Sequence, residues 1–302
     1  MRRAETPPHP DWQSHQAVLG LVDSDGPMLN DAYSLSAGEI DQLEAAAAHV
    51  EELTLEAVAA LLTAGVPAEF GLEEPVIAMA AESWSRQDKN LIGRLDFALT
   101  ADGVPRLLDI DVVAPRGLLQ AGVLQAEWRD WHRPDDRQFN QIHETLVQAW
   151  RHFGLYGHRV HFLEAAPSEQ MVLTYLRETA LQAGVEAVAI AADQLAWNGR
   201  RLLDQWRRPI TRLCVQRPWQ DLRVANLLRP SGVRVIEPAW KALLASPAFL
   251  PWLRRRHGEE ALLSPAPVGG PILGMWMIAS RPSGLGIHDP ATGQVIPHFV
   301  PG

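Results

Sequence analysis

Apolar positions first repeat with a helical period, at Ile40, Leu43, Ala47, Val50, Leu53 and Val58, behind a Ser36/Glu39 pair with capping-box spacing. This predicts one long helix, or two in series, ending near Gly65 and Pro67. From Gly93 the period falls to two. Leu95, Phe97 and Leu99 alternate with Arg94 and Asp96, and Asp102-Gly103 then offers a tight turn before RLLDID, so the segment reads as a β-hairpin.

Helical spacing returns over Gly117 to Trp131 and again in QFNQIHETLVQAWRHFG, where Phe139, Ile142, Leu146, Ala149 and Phe153 share a face. HRVHFL then reads as a strand, a helix capped by Ser168 runs to Gly184, and VEAVAI is the next strand, an order that suggests a parallel sheet. A short hairpin over 195–203, strands at 210–215 and 233–236, and a Pro-interrupted helical stretch over 240–256 follow. The C-terminus reads as two strands joined by a Gly-rich connection. The chain thus divides into an irregular lead-in (1–35), a helical region carrying the hairpin at 93–111 (36–155), an α/β region (156–237) and a closing region with the C-terminal strands (238–302).

With Asp102 and Gly103 at the centre of the turn, Leu99 is expected opposite Arg106, Phe97 opposite Leu108, Asp96 opposite Asp109 and Arg94 opposite Asp111. Leu108 and Ile110 would then join the apolar face, and four charged residues would share the other. Paired carboxylates repel unless a proton or cation intervenes, and hard oxygen ligands suit Mg²⁺. Two readings of that face stand: a divalent-ion site, with Arg94 holding a phosphoryl group or orienting Asp111, or solvated acids bridged by Arg94.

The formal charge of −9, with no basic stripe, argues against nucleic acid as a partner. No stretch is long and apolar enough to cross a membrane and no apolar segment follows the two N-terminal arginines, so a soluble cytoplasmic protein is expected. Cys214 is alone and reads as a small buried hydrophobe. His158 and His161 fall on opposite faces of a strand, which rules out a simple two-ligand metal clip. Trp128, Trp131, Trp240, Trp252 and Trp276 lie in apolar periodic segments and read as core. Only two lysines are present, Lys89 and Lys241.

GRLDF followed by LLDIDVVAPRGLLQAGVLQAEW resembles the motif of the glutathionylspermidine synthase family, a G-R-x-D-F strand before an E-x-N-A-D strand and a helix ending near Q-x-x-W. The likeness extends through RQFNQIHETLVQAW, IEPAWKALLASPAFLPWLRRRHGEEALLSPAP and GMWMIASRPSGLGIHDPATGQVIPHFVP. The resemblance implies an α/β fold: a pre-ATP-grasp-like domain at 156–237 and a truncated ATP-grasp-like α+β region in 238–302. It also implies the chemistry of ATP-dependent acid–amine ligases, in which Mg-ATP phosphorylates a carboxylate that an amine then attacks. Carried over by motif, Arg94 would contact the transferring phosphate as the catalytic residue, and Asp96, Asp109 and Asp111 would take the Mg²⁺ positions, with Asp109 in place of Glu and Asp111 in place of Asn. Glu144 and His288 would face substrate.

Three departures weaken the ATP half of that expectation. Pro247 stands where the family has a nucleotide-contacting lysine, only residues 268–273 bridge a segment that elsewhere carries a K-P strand and a phosphate-covering Gly-rich loop, and G-I-H-D ending at Asp289 replaces G-I-R-E. The expectation is a family member with Mg²⁺ carboxylates in place, ATP binding doubtful, and a small-molecule acid or amine as ligand. Its alternatives are an active ligase, with Arg254, Arg255 and Arg256 substituting for lysines or a partner completing the ATP site, and a binding or regulatory subunit of a full-length homologue.

Overall fold

The computed structural model describes residues 1–5, 31–164, 167–217, 232–265, 267 and 269–302. Most of the expected lead-in lies outside the described residues, as does Val268 of the short bridge. The described ends of the lead-in are regular rather than irregular. Strand β1 (Arg2–Glu5) pairs antiparallel with β2 (Asp31–Ser34), because the chain returns alongside its own start.

The helical pattern after Ser36 is one 28-residue helix, Ala37–Ala64. The Ser36 hydroxyl accepts the Glu39 amide at 3.3 Å, and the Glu39 carboxylate accepts the Ser36 amide at 2.8 Å, closing a reciprocal capping box. Its apolar stripe buries Leu43, Ala47, Val50, Val58 and Leu61 against the main core. A second helix spans Glu74–Ser85.

The hairpin forms from β3 (Ile92–Leu99) and β4 (Pro105–Asp111), with a different turn from the one expected. Gly103 N–H donates to Thr100 O at 2.9 Å and Thr100 N–H to Val104 O at 2.9 Å, so Ala101 and Asp102 occupy the centre and Gly103 takes a left-handed φ of 78° behind them. This slips the register by one, placing Leu99 opposite Pro105 and Phe97 opposite Leu107 rather than Arg106 and Leu108. A bulge between Asp96 and Phe97 then absorbs Leu108 and restores Asp96 opposite Asp109 and Arg94 opposite Asp111. Leu107, not Leu108, is therefore the core residue.

A π-helical turn at Gln120–Leu124 runs into a helix at Gln125–His132, and the next helix, Ile142–His152, starts after Phe139. Strands β5 (Arg159–Leu163), β6 (Glu186–Ile190), β9 (Arg212–Cys214) and β10 (Arg234–Ile236) form the expected parallel sheet in the order β10-β9-β5-β6. The intervening helix begins at Pro167, so Ser168 lies inside its first turn. Strands β7 (Ala196–Trp197) and β8 (Leu202–Leu203) make the small hairpin between β6 and β9. Cys214 is fully buried, and burial pushes its thiol well up.

Helices Lys241–Leu244 and Phe249–Arg256 flank Ser246-Pro247, where the Ser246 hydroxyl donates to Phe70 O at 2.9 Å. The C-terminal strands β11 (Ile272–Ile278), β12 (Arg281–His288) and β13 (Val295–Ile296) join the hairpin in one five-stranded sheet ordered β13-β12-β11-β3-β4. A last strand, β14 (His298–Phe299), pairs with β2. The Gly-rich SGLGIH segment is thus itself a strand rather than a connection. A Cβ on Gly284 would come within 2.7 Å of Ile142 Cγ1, so glycine here admits the 142–152 helix against the sheet.

The two sheets are joined where the chain enters β3. Glu237, at the end of β10 and only 4% exposed, accepts the amides of Leu91 and Ile92 at 3.0 Å each. Lys241 is 2% exposed, pairs with Glu237 and donates to Ile92 O. Removing one member of a buried pair strands the other charge, at a cost of about 3–5 kcal/mol. Lys241→Met should lower the unfolding free energy obtained from urea titration by that amount, with a matching fall in the midpoint, and Glu237→Gln added to it should recover part of the loss. An unchanged midpoint in the single variant would contradict the clamp.

His298 is fully buried, and burial lowers its imidazole to about 3, with Nδ1 3.0 Å from Gln125 Oε1. Because the folded value lies below the unfolded one, the unfolded state binds the extra proton. The contribution to stability is complete above pH 6.5 and is lost as pH falls toward 3. Between pH 7.5 and 5.0 this one site accounts for about 2 kcal/mol. His298→Gln should lose correspondingly less stability than wild type over that interval in urea titrations, and superimposable pH profiles would refute the assignment.

Candidate functional site

Strand β3 carries the chemistry because its alternation is strict: Leu95 and Phe97 face the core, and Arg94 and Asp96 face the other way. Arg94 Nε donates to Asp96 Oδ1 at 2.6 Å and Nη2 to Asp96 Oδ2 at 2.8 Å, a bidentate pair with both side chains largely buried. Arg94 Nη1 donates to Arg116 O at 2.6 Å, Asp111 Oδ2 stands 3.6 Å from Nη2, and the guanidinium lies 5.7 Å from the Trp276 ring centre. Gly274 of β11 faces this pair across the ladder, and a Cβ there would sit 2.8 Å from Arg94 Cδ and 3.2 Å from Asp96 Oδ1.

A cavity of about 300 Å³ opens beside the pair, lined among others by Arg94, Asp96, Arg116, Gln120, His288 and Asp289. Gln120 is 2% and His288 7% exposed, and the Nε2 atom of each is buried with no hydrogen-bond partner among the described residues. Buried polar atoms without partners are rare in folded proteins, and here two of them belong to residues that line one cavity. Burial, together with the positive charge of Arg94, pushes His288 down to about 4, so it presents a neutral imidazole with one donor and one acceptor nitrogen.

The structure therefore brings together Arg94, Asp96 and His288 of the predicted site residues, and the register places Asp109 and Asp111 across from the first two. It does not bring in Glu144, which is exposed on the first turn of the 142–152 helix and does not line the cavity. Asp109 is exposed, and its Oδ1 accepts the Ile110 amide at 2.8 Å. Burial pushes the Asp111 carboxyl up to about 6, with Arg94 pulling it down and Asp96 and Asp109 adding repulsion.

Among the described residues no group of three or more His, Cys, Asp or Glu side chains is arranged to hold a metal ion. The expected Mg²⁺ ligands are not gathered for an ion in this arrangement, and one of them, Asp96, engages the Arg94 guanidinium through both oxygens. The arginines weighed as lysine substitutes are also engaged elsewhere. Arg254 donates to Leu107 O, Arg255 pairs with Glu69 and Arg256 lies over the Trp252 ring, and none of the three lines the cavity.

Arg116 and Gln120 were not singled out in the sequence, and Asp289 entered only as the end of the G-I-H-D segment. Gln120 sits in the π-helical turn, a local insertion that periodicity does not announce.

Fold and site together define an α/β protein with a polar cavity at the junction of a hairpin and the C-terminal strands. The family model described as glutathionylspermidine synthase preATP-grasp matches residues 3–271, and the chain belongs to that family. A Haemophilus influenzae protein named "Putative acid--amine ligase" is 27% identical over 252 residues, which cover 78% of this chain and 63% of the relative. The chain thus spans less than two thirds of the length of that relative. Strands β11 and β12 lie beyond the family match and still complete the sheet that carries its motif. No helix among the described residues is long and apolar enough to cross a membrane.

Gly274→Ala tests the packing around the ion pair. The added methyl must displace Arg94, so a loss of about 1–3 kcal/mol in thermal or urea unfolding is expected. Unaltered stability would mean that Arg94 is not held where described.

Proposed function

We propose that this protein binds a small carboxylate-bearing molecule in the cavity beside Arg94 and does not by itself complete ATP-dependent ligation. The observation that carries the first half is a cavity edged by Arg94 and Arg116 and lined by Gln120 and His288, two buried side chains whose Nε2 atoms have no hydrogen-bond partner among the described residues. Arg116 is exposed and supplies a charged fork at the mouth, Gln120 Nε2 donates a hydrogen bond within, and the neutral imidazole of His288 takes up the remaining polar group of the ligand. Arg94, held rigid by Asp96, supplies a fixed positive field without being consumed as a direct clamp.

The second half is supported by the cationic inventory. Pro247 stands at the nucleotide-lysine position, in the turn between two helices, and Lys241 is committed to Glu237 and Ile92. An acid could be oriented here, but the groups that would grip a nucleotide are engaged elsewhere or replaced. With Asp96 bound to Arg94, no step is assigned to Mg²⁺.

Glutathione and spermidine, the acid and amine after which the family is named, serve as probes. Calorimetry should show glutathione or free glutamate binding without Mg²⁺ or ATP, weakened at least tenfold in Arg116→Ala and Gln120→Ala. Mg-ATP should show no micromolar binding, and glutathione with spermidine should release no ADP. Absence of binding by either acid would overturn the first half of the reading, whereas micromolar Mg-ATP binding or steady ADP release would overturn the second.

A further inference from the structure

A second site lies at the other end of β11. Ile272 borders the Arg94 cavity and Ala279 borders a different cavity of about 370 Å³, so strand rise alone separates the two by roughly 20 Å. Trp84 and Trp240 wall this second cavity, edge to face at 5.4 Å, with Asn90 and Ser280 beside them. A third cavity of about 150 Å³ adjoins it, and the segment Gln87-Asp88-Lys89 lines both.

The backbone around these cavities is strained. Five non-glycine residues among those described have left-handed φ, and three of them line the tryptophan cavity: Gln87 at 53°, Ala279 at 48° and Ser280 at 64°. Ala279 and Ser280 form the two-residue turn between β11 and β12, where asparagine and glycine would adopt these angles at lower cost. Strain of this kind concentrates where a structure holds ligands.

The third cavity is cationic. Arg212 and Arg234 are register partners on the parallel strands β9 and β10, an arrangement in which like charges repel. Among the described residues neither has a carboxylate partner, and Lys89 adds a third positive charge. The nearby acid, Asp88, is already bound by Arg86 through Nε at 3.2 Å and Nη2 at 2.7 Å. Lys89 Nζ makes one 3.4 Å contact, to His152 O, and keeps donors free.

We infer that these adjoining cavities form a binding site for a phosphate-bearing small molecule. Its anion lies between Lys89, Arg212 and Arg234, and its apolar part extends toward Trp84 and Trp240. Arginine pairs suit phosphate because the guanidinium fork meets two oxygens at once, and the anion removes the Arg212–Arg234 repulsion. The site is separate from the proposed acid cavity and stands or falls independently of it.

The test uses pyrophosphate and phenyl phosphate, titrated into the whole protein by calorimetry and tryptophan fluorescence. Both should bind saturably, phenyl phosphate should quench tryptophan emission, and Arg212→Ala/Arg234→Ala should weaken both at least tenfold. Lys89→Ala, at an exposed position that leaves the fold intact, should weaken both at least threefold, and Arg116→Ala at the other cavity should leave them unchanged. Binding that is absent, unaffected by the Lys89 and arginine variants, or abolished by Arg116→Ala would overturn the assignment of the anion. Phenyl phosphate binding without any change in tryptophan emission would overturn the assignment of the apolar part.

Discussion

The carboxylate of Glu237 is the point on which the two halves of the sheet structure depend. It ends β10 of the parallel sheet and accepts the amides that open β3, while Lys241 neutralises it and takes the Ile92 carbonyl. Such a buried pair is poor as a source of net stability but strongly specific, since any shift of β3 would leave a charge and two amides unsatisfied. The direction and register with which β3 enters the five-stranded sheet follow from it, and so does the placement of Arg94 two residues later.

Once β3 is placed, the chemistry of the cavity is a matter of what Arg94 touches. Its bidentate bond to Asp96 satisfies both groups internally, and that changes the meaning of the acidic hairpin. A carboxylate that engages a guanidinium through both oxygens fixes where that guanidinium sits. The other polar side chains that line the cavity include Gln120, His288 and Arg116, which come from outside the hairpin. Three chain segments far apart in sequence meet there because β11 and β12 complete the sheet begun by β3 and β4.

Much of this was legible in the sequence wherever a local rule decides the outcome. The Ser36/Glu39 box, the period-two hairpin and the parallel α/β segment all formed, since capping, alternation and turn chemistry act within a few residues. The Arg94–Asp111 and Asp96–Asp109 pairings also formed, although by a different route from the one expected: the slip at Gly103 and the bulge at Leu108 cancel. The Gly-rich strand β12 was read as a connection because its glycines answer to the close approach of Ile142, a neighbour that no window of sequence contains. The pairing of Asp96 with Arg94 is local and was one of the two readings of that face, whereas the exposure of Glu144 and the presence of Gln120 in the cavity are tertiary facts.

The central claim is that Asp96 belongs to Arg94 and is not free to hold a metal ion. Titration with Mn²⁺, followed by loss of the free-ion electron paramagnetic resonance signal, tests this directly. The account predicts no stoichiometric site in the micromolar range. One Mn²⁺ bound per chain at micromolar concentration, and lost in both Asp96→Asn and Asp109→Asn, would contradict it.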